Sequence, residues 1–371
     1  MIGGALFLKR LEEENVHFYT GVPDSLLKGF NTALHALPST RHVIAANEGA
    51  AIGMAAGYHL ATGSVPLVYL QNSGLGNIIN PLTSLADSEV YGIPMLLAIG
   101  WRGQPGHADE PQHQKMGRVT PSLLSALEIP YKILAKDSGA TWEASLKEAL
   151  ENCRSQSHPF ALLVEDGFFL KEEIGKQNRY ELDAKTAIEA VVKAFDRKIK
   201  FIATTGKIGR IIYEITRDLY NGDRACFLNV GAMGHTNSLA ASIAFHSNEE
   251  VVLFDGDGAL IMHMGALATI ASLRLKKFTY ILLNNGVHES VGGQPTVGFD
   301  VDFCGIAMAC GYTNIHRVED LSSLDHWLQN NNEEQQFVEI RINALVSSQL
   351  GRPAETPLEA KQKFMQRFQK S

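Results

Sequence analysis

The chain has 371 residues, of which 45% are hydrophobic and 20% charged, with a formal net charge of -7 at pH 7. That length suits two domains of roughly 150–200 residues each, and the composition excludes a disordered or fibrous chain. An acidic balance without a basic block excludes a general nucleic-acid surface, though a basic pocket can sit inside an acidic protein.

Cys153, Cys226, Cys304 and Cys310 form no CxxC pair and have no histidine at zinc spacing. Neither a disulfide framework nor structural zinc is expected, and a reducing, cytoplasmic setting fits. The start, MIGGALFLKRLEEENV, lacks a basic segment followed by a long apolar run. No apolar stretch approaches the ~20 residues of a membrane span, so no membrane association is expected.

In chain order, strand-like runs end abruptly in glycine or polar residues: HFYTGVPDS (17–25), VPLVYLQNSG (65–74), PMLLAIGWRG (94–103) and FALLVEDG (160–167). The second half carries FIATTGK (201–207), VVLFDGDG (251–258), FTYILLNNG (278–286) and FVEIRI (337–342). Helical patterns such as GAAIGMAAGYHLA, TAIEAVVKAF, NSLAASIAFH and MGALATIASL lie between them. Apolar strands alternating with helices predict parallel sheets covered on both faces. An alanine-rich helix, a strand, a glycine turn, a helix and a second strand recur in each half. The expectation is an α/β chain of two similar doubly wound domains, 1–172 and 182–371, with a polar linker at 173–181.

Ligands of open parallel sheets bind beyond the carboxyl ends of the strands, where GDG (256–258) and NN (284–285) both fall. Gly256 and Gly258 let backbone amides approach a phosphate, and the following helix start presents more. Asp257 offers a carboxylate oxygen and Asn284 or Asn285 an amide oxygen, the hard ligands that Mg²⁺ prefers. GDG alone is a weak signal. Followed after 25 residues by NN, with each closing a β-run, it is strong. In the first half, Glu48 is the one charge in the small, apolar stretch AANEGAAIGMAAGY, where a helix begins. It caps or favours that helix, or it is a buried catalytic acid. Dinucleotide binding fits poorly, because SGLGN and GDGALIMHMG both miss GxGxxG spacing.

The GDG/NN pair resembles the signature of thiamine diphosphate enzymes. GVPDSLL, ANEGAAIGMAAGYHLATG, YLQNSGLGN, GWRGQPG, DEPQHQKMGR, TTGK, GAMGH, NNGVHESVGGQPT and LGRP, in that order, are similar to the phosphonopyruvate decarboxylase family and its sulfopyruvate relatives. The resemblance implies a pyrimidine-binding and a diphosphate-binding domain, with thiamine diphosphate and Mg²⁺ as cofactors. Asp257, Asn285 and the carbonyl of Val287 would hold the metal, while Asn284 supports the turn. Glu48 would serve the aminopyrimidine ring, and Asp24 and His113 would handle protons. Met233 would prop the cofactor, and Thr205, Gly206, Gly234, His235, Gly256 and Gly258 would lie along it. Arg102, Lys115, Lys207 and Arg352 are the candidate cations for a phosphonate.

The implied reaction is decarboxylation of 3-phosphonopyruvate to phosphonoacetaldehyde and CO₂. Sulfopyruvate decarboxylation, or carboligation on a related 2-oxo acid, is the alternative. The family also implies a homodimer or larger homo-oligomer with active sites at the subunit interface.

Overall fold

Side chains alternate across a strand, so a strand buried on both faces must be apolar at every position. That rule organises the computed structural model of the protein, which describes all residues except 140, 173, 176–178, 196–198, 221–225, 248, 332–333, 345–349, 352 and 369–371. The chain divides into two units, Met1–Gly175 with Ser290–Gln294, and Lys176–Glu289 with Pro295–Ser371.

The strands of the first unit are β1 (Tyr19–Gly21), β2 (His42–Ile44), β3 (Leu67–Gln71), β4 (Leu96–Gly100), β5 (Tyr131–Leu134) and β6 (Phe160–Val164). They form one sheet in the order β2-β1-β3-β4-β6-β5, parallel throughout. Leu67, Tyr69, Leu96, Ala98, Leu162 and Val164 enter one apolar cluster, while their neighbours Val68, Leu70, Leu97, Ile99, Ala161 and Leu163 enter another on the opposite face.

The second unit repeats this plan with β7 (Lys200–Ala203), β8 (Cys226–Leu228), β9 (Val251–Gly256) and β10 (Phe278–Asn284). After the two-residue strands β11 (Val287–His288) and β12 (Gln294–Pro295) come β13 (Asn314–Val318) and β14 (Gln336–Arg341). The sheet order is β13-β14-β10-β9-β7-β8, the order of the first sheet read from its other edge. Val252, Phe254, Ile281 and Leu283 pack on one face, and Val251, Leu253, Tyr280 and Leu282 on the other. The chain is thus two six-stranded parallel sheets flanked by helices, as the apolar runs predict. Among the described residues no helix is long and apolar enough to cross a membrane.

Helices deliver the polar residues to the carboxyl ends of the strands. The helix Glu48–Thr62 begins where the Asn47 side chain accepts the Ala50 amide at 2.9 Å, and it ends at Gly63, whose φ of 71° is left-handed. The first unit is closed at its start by Ile2, whose amide donates to Phe168 O at 2.8 Å and whose carbonyl accepts from Leu170 N at 2.9 Å. Beneath this closure, Phe7 meets Phe30 and Phe169 edge-on, with ring centroids 5.2 and 5.3 Å away. Phe7→Ala therefore removes a fully buried ring from the centre of an aromatic cluster. The expected cost is about 3–5 kcal/mol, read as a lower midpoint for unfolding of the first unit in a urea titration followed by circular dichroism.

Candidate active site

In the second unit β9 and β10 run parallel with Gly256 beside Leu283, so Asp257 and the NN turn emerge side by side. Asp257 starts a short helix and is buried. Its carboxylate accepts the Thr296 hydroxyl, and the nearby backbone N–H groups of Asn285 and Gly258 favour its charged form. Burial outweighs these bonds and raises its pKa to about 6. Gly298 lies directly against both side chains, because a Cβ there would lie 2.5 Å from Asp257 Oδ2 and 2.6 Å from Asn284 Oδ1.

The two asparagines differ. Asn284 is fully buried, its amide donating to Gly298 O at 2.7 Å and Glu339 Oε1 at 2.8 Å while its oxygen accepts Gly286 N at 3.2 Å. Asn285 is half-buried; its oxygen accepts Val287 N at 3.0 Å and its amide donates to Glu289 at 3.2 Å. Glu289 also pairs with Lys207 at 3.2 Å, linking the end of β7 to the NN turn.

Around this pair lie the other glycine turns. Gly206 has φ 94° and Gly234 φ 85°, and the neighbouring Thr205 hydroxyl donates to Val230 O at 3.1 Å. A Cβ on Gly258 would sit 3.4 Å from the Met233 methyl and 3.1 Å from the His288 ring, so Met233 stands directly against the GDG turn. His235 is exposed and stacks on His263 with centroids 4.3 Å apart.

The first unit holds a second group of buried acids. Glu48 is 5% exposed, accepts Asn77 Nδ2 at 2.7 Å, and has its pKa raised by burial. Gly74 makes that position possible, since any side chain there would collide with the Glu48 carboxyl. Asp24 is fully buried, accepting Gln71 Nε2 at 2.8 Å and Leu26 N at 3.0 Å. Burial lifts its pKa to about 6 against these bonds and the nearby Arg102 charge. Gly100 leaves the space that the Asp24 carboxylate occupies.

The guanidinium of Arg102 is held by Asp109, at 2.8 Å through Nε and also through Nη2, while Nη1 donates to Ser25 Oγ at 2.8 Å. His113, in the first turn of the helix Pro111–Ala126, is held below the usual imidazole range by burial and by Arg102. Lys115 is exposed on the same helix, and Arg352 lies outside the described residues.

Residues 1–120 match the family model of the thiamine pyrophosphate enzyme N-terminal TPP binding domain, and residues 204–342 match its C-terminal counterpart. Phosphonopyruvate decarboxylase of Streptomyces viridochromogenes is 33% identical over 98% of this chain and 94% of its own length. The chain belongs to the phosphonopyruvate decarboxylase family. A second member, from Streptomyces hygroscopicus, is 31% identical over 98% of this chain and 93% of its own length. Sulfopyruvate decarboxylase of Methanosarcina acetivorans is 30% identical over 72% of each chain. Thiamine diphosphate is the cofactor for which both matched domains are described.

Sequence reasoning missed Gln71, Gly74, Asn77, Asp109, Thr296, Gly298 and Glu339 as members of these two groups. Gln71, Gly74, Asn77, Asp109 and Thr296 lie in stretches already similar to the family; Glu339 reads only as one polar letter in the strand FVEIRI.

Burial of Asp24 has a measurable consequence. With the folded pKa above the unfolded one, Asp24 contributes fully to stability below about pH 4, and that contribution is lost as pH rises through about 6. Asp24→Asn abolishes this titration. The stability of the variant relative to the parent should therefore rise between pH 4 and 7, by up to about 2–3 kcal/mol, in denaturant titrations at each pH.

Proposed function

We propose that the chain decarboxylates 3-phosphonopyruvate to phosphonoacetaldehyde and CO₂ with thiamine diphosphate and Mg²⁺. The observation that carries the reading is the junction of Asp257 with the Asn284–Asn285 turn at the ends of adjacent parallel strands. Among the described residues no lysine, arginine or histidine pairs with Asp257. A buried carboxylate without a cation, its proton affinity raised by desolvation, fits a divalent ion that would relieve that cost. Asp257, Asn285 and the Val287 carbonyl supply hard oxygens, and diphosphate and water would complete the set. Asn284 serves the turn, because both ends of its amide are already engaged inside the protein. The backbone at Gly206, Gly234, Gly256 and Gly258, with His235 beside it, would lie along the diphosphate and thiazolium, and Met233 against the ring.

When bound, thiamine diphosphate supplies the electron sink for the pair left as CO₂ departs. Glu48 holds a proton toward the aminopyrimidine nitrogen; burial favours that proton against the Asn77 hydrogen bond, which fixes the carboxyl in place. Asp24 and His113 handle the proton that the product carbon requires, and burial favours the uncharged form of each. Lys207 and Lys115, with Arg352, would face the phosphonate. Arg102 acts through its field and by holding the Ser25 hydroxyl beside Asp24.

Similarity along nearly the whole chain favours the phosphonate substrate, and the shorter match to sulfopyruvate decarboxylase makes sulfopyruvate the second reading. We propose also that Glu48 of one subunit and Asp257 of another serve one cofactor, so the functional unit is at least a homodimer.

Three outcomes test this reading. CO₂ and aldehyde release should require both thiamine diphosphate and Mg²⁺ and should be faster with phosphonopyruvate than with sulfopyruvate or pyruvate. Turnover without the cofactor sinks the mechanism, whereas preference for sulfopyruvate sinks the substrate alone. Glu48→Gln should bind the cofactor and lose about 10²–10⁴-fold in kcat; a near-parental kcat refutes its role. Sedimentation of the cofactor-loaded protein should give a dimer or larger species, and a monomer with full activity would overturn the shared site.

A further inference from the structure

Glu339 has no part in the chemistry just described, yet it is a fully buried glutamate in β14, beside Leu282 of β10. Arg317 Nε donates to its Oε2 at 2.9 Å, and Arg341 Nε to its Oε1 at 3.1 Å. Arg317 reaches on to Asp302, and Arg341 reaches on to Glu319 and Tyr180. A buried ionic cluster of this kind is seldom more stabilising than apolar residues of the same volume. Its placement therefore asks for another reason, and Asn284 supplies one.

Glu339 Oε1 and Gly298 O both accept from Asn284 Nδ2, at 2.8 and 2.7 Å. A carboxylate and a backbone carbonyl can only accept, so the amide has one orientation and its oxygen must face the Gly286 amide. Gly286, at φ 68°, is the hinge between Asn285 and Val287. Its carbonyl in turn accepts Thr296 N at 2.8 Å, Gly298 N donates to Thr296 Oγ1 at 3.0 Å, and the Thr296 hydroxyl donates to Asp257 Oδ2. A continuous hydrogen-bonded path thus runs from two arginines through Glu339 and Asn284 to the NN turn, and through Thr296 to Asp257.

We propose that Glu339 and Thr296 are positioning residues for the metal-holding pair: Glu339 sets the asparagine turn, and Thr296 sets the rotation of the Asp257 carboxylate. Groups that orient ligands in this way typically govern metal affinity by 10–100-fold without touching the ion. The inference rests on the reading that Asp257 and Asn285 hold Mg²⁺ with diphosphate. The commitment of Oδ2 to Thr296 leaves the carboxylate one rotational state, so the cation meets a preformed ligand rather than a mobile one.

The test measures Mg²⁺-dependent binding of thiamine diphosphate to the full-length protein by titration calorimetry, with no substrate present. Glu339→Gln and Thr296→Val should each raise the half-saturating Mg²⁺ concentration about 10–100-fold. Thr296→Ser, which restores the hydroxyl, should return it to within about threefold of the parent. A purely structural role would lower the melting temperature of the metal-free protein without that rescue. If Glu339→Gln does not fold, the near-isosteric Thr296→Val still decides. Parental Mg²⁺ affinity in Thr296→Val, or in a folded Glu339→Gln, overturns the proposal. A parent protein that binds thiamine diphosphate equally well without Mg²⁺ overturns the underlying metal assignment, and this inference with it.

Discussion

The parallel register of β9 and β10 is the constraint on which the rest depends. Pairing Gly256 with Leu283 delivers Asp257 and the asparagine turn to the same edge of the sheet, where backbone amides already point outward. A slip of one residue would send the apolar side chains of β10 to the wrong faces, because Ile281 and Leu283 pack on one side and Tyr280 and Leu282 on the other. The packing that stabilises the sheet therefore also aligns the polar pair. Asp255 adds a lock from inside: buried in β9, it accepts the Tyr280 hydroxyl of β10 at 2.7 Å.

Buried acids in this chain fall into two kinds. Glu339 is surrounded by arginines and an amide, a fully compensated charge with a framework task. Asp24, Glu48 and Asp257 are buried among amides and hydroxyls, with proton affinities raised by desolvation. Acids left undercompensated in this way are expensive to maintain and mark places where a proton or a cation is handled. Asp255 shows that burial alone does not decide the role: its proton affinity is raised as well, yet its Tyr280 bond ties β9 to β10.

Much of the plan is legible in the sequence, and what is not has a physical cause. The eight apolar runs all become strands, and every one of them lies between two neighbouring strands of its sheet. Within the two six-stranded sheets, the four strands that no run announces, β2, β5, β8 and β13, are the outer ones. They are only partly buried, so they never need the continuous apolar signal that marks an inner strand. The GDG and NN motifs stand out because they interrupt such runs. Thr296 and Gly298 escape notice because their partners lie far along the chain, and Gly298 matters through the side chain it lacks. Asp109 is hidden for a similar reason: only the fold shows that it, rather than a ligand, takes the fork of Arg102.

The closure of the first unit by Ile2 bears on how the chain comes off the ribosome. Ile2 hydrogen-bonds to Phe168 and Leu170, so these bonds of Ile2 cannot form until those much later residues are made. Phe7, on the helix that follows, likewise waits for Phe168 and Phe169. The helix Gly4–Glu13 thus lacks these partners through most of the synthesis of its own unit, a long interval for its apolar face during vectorial folding.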